Sequence, residues 1–242
     1  MSAPTTPVDV RAALPPDAAA ALDDMLRRIE EAPETVGRYF PAAARRTTRG
    51  DIGLRDDHGE VVLAEDAVRV ALLRAAVGAL PATRGGAEVA ALYRFGDSDE
   101  KRAVLLGLGV VDSAAAPDVL EDALRTNDTR LVAAAMGPPA ARLDADTWRQ
   151  GVLKCLFVGV ALTSVADLRV RADRSLAEMV ARYAHERVAA GRDVPADVWL
   201  VLDRFPEAVA LIDLDTELAS PHDDRSDAAR RLLASRPTTP KD

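Results

Sequence analysis

Apolar side chains recur at three- and four-residue intervals along most of the chain, the spacing that gathers them on one face of a helix. Residues 17–31 open after Pro15 and Pro16 with an acidic first turn and place Ala18, Leu22, Met25, Leu26 and Ile29 on one stripe. Residues 65–80 place Val68, Leu72, Leu73 and Ala76 together and stop before Pro81. Residues 98–110 carry Val104, Leu105 and Leu108, and residues 117–125 start on Pro117 and carry Leu120, Ala123 and Leu124. Segments 128–136, 144–162, 174–190, 195–203 and 223–234 continue the series, joined by short Gly, Pro, Asn or Asp connectors. The pattern predicts an all-α chain. One stretch departs from it: residues 52–63 alternate apolar positions around Asp57-His58-Gly59, which fits either a small β-hairpin or a surface loop.

The series carries a faint repeat. Asp99-Glu100-Lys101-Arg102 opens one helix and Asp128-Thr129-Arg130 opens another 29 residues later, with the 117–125 helix between them. Helix pairs recurring every roughly 30–45 residues build α-solenoids, in which each pair buries its apolar face against its neighbours. The expectation is an α-α superhelix of antiparallel helix pairs, a short HEAT-like stack forming one domain over residues 17–234; a compact irregular bundle is the competing arrangement. Residues 1–16 and 235–242, rich in Pro, Thr and Ser, are expected as poorly ordered tails.

Two groups of polar residues stand at helix boundaries. Gly96 can end one helix while Asp97 caps the next, with Glu100 completing a capping box. Asn127 or Asp128 can cap a later helix, with Arg125 at the negative end of the helix before it. Each residue has a local role, yet in a solenoid Arg94, Asp97, Arg125, Asn127 and Asp128 also fall on one rim that can bind a ligand. Further on, Tyr183, Glu186 and Arg187 share a helix face, followed by Arg192 and Trp199. That face either fixes a neighbouring helix through a bound arginine or recognises an anionic or phenolic ligand. His185 points elsewhere and reads as an exposed residue.

Composition narrows the function more than it defines it. Hydrophobic residues make up 48% of the chain and aromatic ones 4%, enough for a core and more suited to helices than sheets. The net charge of -8 repels a phosphate backbone and argues against nucleic-acid binding. One cysteine and three scattered histidines suggest neither a disulfide nor a metal site, and no cofactor is expected. Cys155, beside Leu153, Leu156 and Phe157, reads as a buried hydrophobe. The apolar runs at 68–80 and 152–162 are too short to span a bilayer, and no basic leader precedes an apolar run, so the expected location is the cytoplasm. Signatures of the serine-hydrolase elbow, the zinc-protease helix and the phosphate-binding loop are missing, and Gly107-Leu108-Gly109 lacks the third glycine of a dinucleotide loop.

Four stretches, in order, carry a resemblance: LYRFGDSDEKRA at 92–103, ALRTND at 123–128, WRQGVLKCLF at 148–157 and MVARYAHERVAAGR at 179–192. Together they resemble the successive motifs of the EboA-domain family over roughly residues 63–199. Where a family member usually has an Asn-Pro-Tyr-like step after the 128–136 helix, this chain has Gly137-Pro138-Pro139. The resemblance implies an all-helical protein with no established catalytic residues. It also implies a setting among other Ebo proteins, including a membrane prenyltransferase of the UbiA type, a TatD-type hydrolase, a sugar-isomerase-like barrel and a dehydroquinate-synthase-like protein. That group is associated with moving a secondary metabolite or its precursor outward. The expected function is therefore a non-catalytic binding or adaptor protein for such traffic; the alternative is an enzyme acting on a prenylated or aromatic intermediate near Tyr183, Glu186 and Arg187.

Overall fold

The computed structural model describes residues 9–56 and 59–237; the Asp57-His58 part of the expected turn, and residues 1–8 and 238–242 of the expected tails, lie outside the described residues. Among the described residues the fold is all-α apart from one two-stranded antiparallel hairpin. It divides into two compact units, Met1–Asp144 and Ala145–Asp242.

The first unit runs α1 (Val10–Ala13), α2 (Pro16–Glu31), α3 (Val36–Arg46), β1 (Asp51–Arg55), β2 (Val61–Leu63), α4 (Ala64–Ala79), α5 (Ala82–Phe95), α6 (Ser98–Gly107), α7 (Ala116–Arg125) and α8 (Thr129–Met136), and closes with a 3-10 turn at Pro138–Arg142. Residues 9–16, expected as tail, contain α1 with Val10 and Leu14 buried. Arg11 fastens α1 to α2 through Asp23, at 2.7 and 2.8 Å. Helices alternate between two layers. Helix α2 packs on α4, α4 on α6 and α6 on α8, while α3 touches α5 and α5 touches α7. That alternation is the helix-pair stacking of a repeat fold. The stripes read from the sequence supply its core: Leu22, Met25, Ile29, Val68, Leu72, Leu73, Val104, Leu105, Leu108 and Leu120 are fully buried.

Two helices escape the periodicity. Helix α3 contains Gly37 and Pro41, and α5 contains Gly85 and Gly86, residues that lower intrinsic helix propensity. Both form because Val36, Tyr39, Phe40 and Ala43 in one, and Val89, Leu92 and Tyr93 in the other, have an apolar face to bury. Between α3 and α4, β1 pairs with β2, with Asp51 opposite Leu63 and Arg55 opposite Val61, so the 52–63 segment is a hairpin.

The second unit is built around α11. Its elements are α9 (Ala145–Val158), α10 (Leu168–Arg171), α11 (Arg174–Ala189), α12 (Trp199–Leu202), α13 (Pro206–Val209), α14 (Leu214–Leu218) and α15 (Asp223–Ala234), with 3-10 turns between several of them. Leu176, Val180, Ala184 and Val188 bury one face of α11, which packs against α9 and each of α12 to α15. The expected 144–162 helix stops at Val158 because Gly159 turns left-handed, with φ 82°. The expected 195–203 helix is a 3-10 turn at Ala196–Val198 followed by the short α12. No described helix is long and apolar enough to cross a membrane.

Candidate functional site

The first unit holds an apolar cavity of about 240 Å³. Its position follows from the local chain path. Helix α4 starts where β2 ends, and two bonds lock the hairpin's base to that helix: the Ala64 N–H donates to the Gly50 carbonyl at 2.9 Å, and the Gly50 N–H to Glu65 Oε2 at 2.7 Å. One wall is the α4 face of Asp66, Ala67, Val70, Ala71 and Arg74, at helical spacing; the hairpin adds Val61, Val62 and Leu63. Leu106, Gly109 and Val110, at and beyond the end of α6, face them, and Pro138 and Pro139 complete the enclosure. Glycine sets the depth. A Cβ at Gly107 would lie 2.6 Å from Leu73 Cδ2, so its absence lets α6 lie close on α4. Arg142 then binds the chain after α6 to the 3-10 turn, donating to the Leu108 and Val111 carbonyls, the latter at 2.8 Å.

Charge on this wall is compensated from the next helix. Arg102 of α6 donates Nε to Asp66 Oδ2 at 3.0 Å and Nη2 to Asp66 Oδ1 at 3.2 Å, a planar two-bond pair in which the Asp66 side chain is 6% exposed and that of Arg102 14%. Burial pushes the Asp66 carboxyl above its usual range even with Arg102 opposing that shift. The pair continues as a ladder: Arg102 lies 3.8 Å from Asp99, Arg130 reaches Asp99 at 2.8 Å, and Arg130 also binds Asp128 at 3.0 Å. The ends of α4, α6 and α8 are thus stitched edge to edge. On the other side of α4 the buried Arg69 donates Nε to the Phe40 carbonyl at 3.2 Å and stacks over the Phe40 ring, leaving Nη1 without a hydrogen-bond partner.

The expected rim is present as helix punctuation. Asp97 caps α6, accepting from the Glu100 N–H at 2.8 Å while Glu100 Oε2 accepts from the Asp97 N–H at 3.3 Å: the capping box read from the sequence. Asp128 caps α8, accepting from the Arg130 N–H at 3.0 Å. Arg125 is exposed and pairs with Glu121 of its own helix, Arg94 lies over the Phe95 ring, and Asn127 is exposed beside Asp128. What joins the two edges is Arg130 to Asp99, residues the sequence reading left as helix openers. The missed signal was charge beside apolar positions: Asp66 and Arg69 among the apolar residues of α4, and Arg102 at the end of a charged run directly before Ala103 and Val104.

The Tyr183 group does not form one site. Tyr183 is buried, its hydroxyl donates to the Leu156 carbonyl at 3.1 Å, and its ring meets Phe157 edge to face at 4.9 Å. Burial raises its phenol above the ordinary value. Arg187 sits over the same ring and donates to the Asp193 carbonyl, whereas Glu186 and Arg192 are exposed. Trp199 Nε1 donates to the Leu232 carbonyl at 3.2 Å. His185 is half-buried rather than exposed, because Nδ1 lies 2.9 Å from the Ile212 carbonyl. Cys155 is fully buried and its thiol is pushed up to about 12, the inert hydrophobe expected. No cluster of three or more His, Cys, Asp or Glu side chains that could hold a metal ion occurs among the described residues.

Comparison with known families bears on the resemblance. Residues 87–203 match the family model of metabolite traffic protein EboA. The match covers all of the four ordered motifs and runs from α5 in the first unit through α12 in the second. Part of the cavity falls inside the EboA match, namely Leu106, Gly109, Val110, Pro138 and Pro139, while the hairpin and α4 walls precede it. No curated protein and no solved structure matches the chain.

Proposed function

We propose that this chain is a non-catalytic binding protein that holds a secondary-metabolite precursor in the first-unit cavity during its traffic. The observation that carries the reading is the cavity itself: aliphatic walls from four chain segments, with the one buried acid, Asp66, already committed to Arg102. A pocket that lacks a poised nucleophile or base binds rather than reacts. The EboA match supports a role in metabolite traffic. Tyr183, Glu186 and Arg187, the residues of the enzymatic alternative, lend it no support, since Tyr183 spends its hydroxyl on a backbone carbonyl. In this reading the protein acts in the cytoplasm. It passes its cargo among the other Ebo proteins, the UbiA-type prenyltransferase, the TatD-type hydrolase and the isomerase-like and dehydroquinate-synthase-like members being the candidate partners.

The test compares small molecules extracted from the purified parent protein and from Ala71→Phe, whose ring fills the cavity from α4. A compound stoichiometric with the parent and missing from the folded variant is the expected result. Identical extracts, or conversion of the bound compound by the protein, overturn the reading.

A further inference from the structure

Several features outside the cavity carry no ligand. The exposed Phe95 and Phe157 touch Arg94 and Tyr183 of the same chain and nothing shows what else would cover them, Cys155 is sealed, and the orphaned Arg69 Nη1 lies among packed side chains on the far side of α4. Arg74 is different. It sits on the cavity face of α4, four residues beyond Val70, and is exposed at the mouth. Among the described residues it makes no hydrogen bond or ion pair, whereas Arg102, Arg125, Arg130 and Arg142 on the neighbouring elements are all engaged by acids or carbonyls.

The two acids facing the same space are already occupied. Both Asp66 oxygens accept from Arg102, and Asp56 Oδ1 accepts from the Glu60 N–H at 2.9 Å. The cavity's buried acid is thus already neutralised by Arg102, while the Arg74 guanidinium has no acid paired with it among the described residues and can attract an anionic group. A guanidinium offers paired, planar donors that match a carboxylate or a phosphate. The remaining walls, Val61, Leu63, Val70, Leu106, Val110 and Pro139, offer no side-chain donor or acceptor, so they suit an apolar body. A dry cavity of about 150 Å³ holds a benzene ring, and on that scale 240 Å³ takes about ten carbon-sized atoms.

We propose that the cavity binds a compact apolar molecule bearing one anionic group, with the body between α4, the hairpin and the Pro138–Arg142 turn and the carboxylate or phosphate on Arg74. The proposal rests on the binding reading above and adds the ligand class and the residue that selects it. Arg74 is then a specificity residue rather than part of the cavity's framework.

The experiment titrates the full chain with four naphthalene probes of matched body: 1-naphthoate, 1-naphthyl phosphate, the neutral 1-naphthalenemethanol and the cationic 1-naphthylmethylammonium, with affinities read by calorimetry. The two anions are expected to bind about fivefold tighter than the alcohol, and the cation weakest. Arg74→Gln, confirmed folded by its melt, is expected to bring the anions down to the alcohol's affinity and to leave the alcohol unchanged. Ala71→Phe is expected to abolish all four. A preference for naphthoate over naphthyl phosphate, or the reverse, distinguishes the two sources of charge. Equal binding of all four probes by the parent, or an anion preference that survives Arg74→Gln, overturns the ligand class while leaving the cavity as a binding site. Failure of every probe, or probe binding that Ala71→Phe does not disturb, overturns the cavity itself and with it the binding reading.

Discussion

The two units use the same residue alphabet and hold their helices together differently. In the first, side chain meets side chain across stacked helices: Asp66 with Arg102, Asp99 with Arg130, and Tyr93 donating to Asp122 at 3.1 Å. In the second, bonds from side chain to backbone are as common as ion pairs: Tyr183 donates to Leu156, Trp199 to Leu232 and Arg204 to Arg169, and Asp197 accepts from the Leu162 N–H at 2.7 Å, beside the pairs Arg149–Asp173, Arg231–Asp193 and Arg236–Asp203. Chain path explains the difference. Residues 64–144 contain no left-handed position, so capped helices reverse at similar intervals and their ends fall in register. The second unit turns left-handed at Gly159, Asp167, Gly191 and Asp213, which breaks it into short helices whose exposed carbonyls need donors. A regular stack leaves helix faces parallel enough to hold a cavity, and the irregular unit spends part of its polar groups on closing its own chain ends.

Breaking the ladder should hurt most. Arg102→Met leaves the buried Asp66 carboxylate without its guanidinium partner, and the expected loss is about 3 kcal/mol, read from urea unfolding. Tyr183→Phe in the second unit removes one neutral bond to a carbonyl and should cost about 1 kcal/mol. Equal losses would mean that the units are not held differently.

Glycine substitutions sharpen the contrast next. At Gly191 the backbone is left-handed, with φ 66°, and a Cβ would fall 2.6 Å from Asp224 Oδ2, so Gly191→Ala should cost about 2 kcal/mol. At Gly107 the backbone is helical. There the gain in helix propensity from Gly107→Ala offsets part of the contact with Leu73, whose side chain can turn aside, and the net loss should be about 1 kcal/mol. Thermal melts of the two variants give the order.

How much of this was legible depends on where the information lay. Stripes such as Leu22, Met25 and Ile29 were readable because one helix carries the whole signal. The capping box at Asp97 was readable because its parts lie three residues apart. Helices α3 and α5 were not, since Gly37, Pro41, Gly85 and Gly86 mark turns in isolation and only tertiary burial overrules them. The cavity was invisible for a related reason. Leu63, Val70, Val110 and Pro139 come from four segments and each reads as ordinary core, so nothing local says that the space between them stays open. The residues Arg94, Asp97, Arg125, Asn127 and Asp128 do lie at helix ends, but the residues that bridge those ends, Asp99 and Arg130, are two positions beyond the caps Asp97 and Asp128.

Acid should separate the two buried acids, Glu217 and Asp66, by sign. Glu217 is buried in a two-bond pair with Arg225, at 2.8 and 2.6 Å, and the hydrogen bonds to that guanidinium hold its carboxyl below the ordinary value of 4.5. A lowered folded pKa means that the pair's contribution is complete above 4.5 and is lost as pH falls through the lower folded value. Asp66 runs the other way. Its raised carboxyl takes up a proton more readily in the folded state than in the unfolded one, so its ionisation weakens the fold as pH rises past the ordinary value of 3.8 and through the higher folded value. Urea melts from pH 7 to pH 3 should therefore show a loss on acidification that Glu217→Gln reduces. If Glu217→Gln leaves the slope unchanged, the second unit's acid sensitivity comes from other pairs.

The smallest effects concern the caps, and they decide whether the helix-end residues do anything beyond punctuation. Asp97→Ala removes the acceptor of the Glu100 N–H and undoes the capping box, which typically costs about 1 kcal/mol. Arg125→Ala removes an exposed pair with Glu121 on the same helix, an interaction worth about 0.5 kcal/mol or less. Arg94→Ala removes only a contact with the exposed Phe95 ring and should fall in the same range. Thermal melts thus rank Asp97→Ala below the parent and leave both arginine variants near it. The same three proteins then go into the 1-naphthoate titration. If the rim is structural and the cavity is the binding site, all three keep the parent affinity, because none of the three residues lines the space that Arg74 guards. An arginine variant that melts with the parent yet loses naphthoate would move binding from the cavity to the helix ends, and the regular unit's value would lie in the edge it aligns rather than in the space it leaves open.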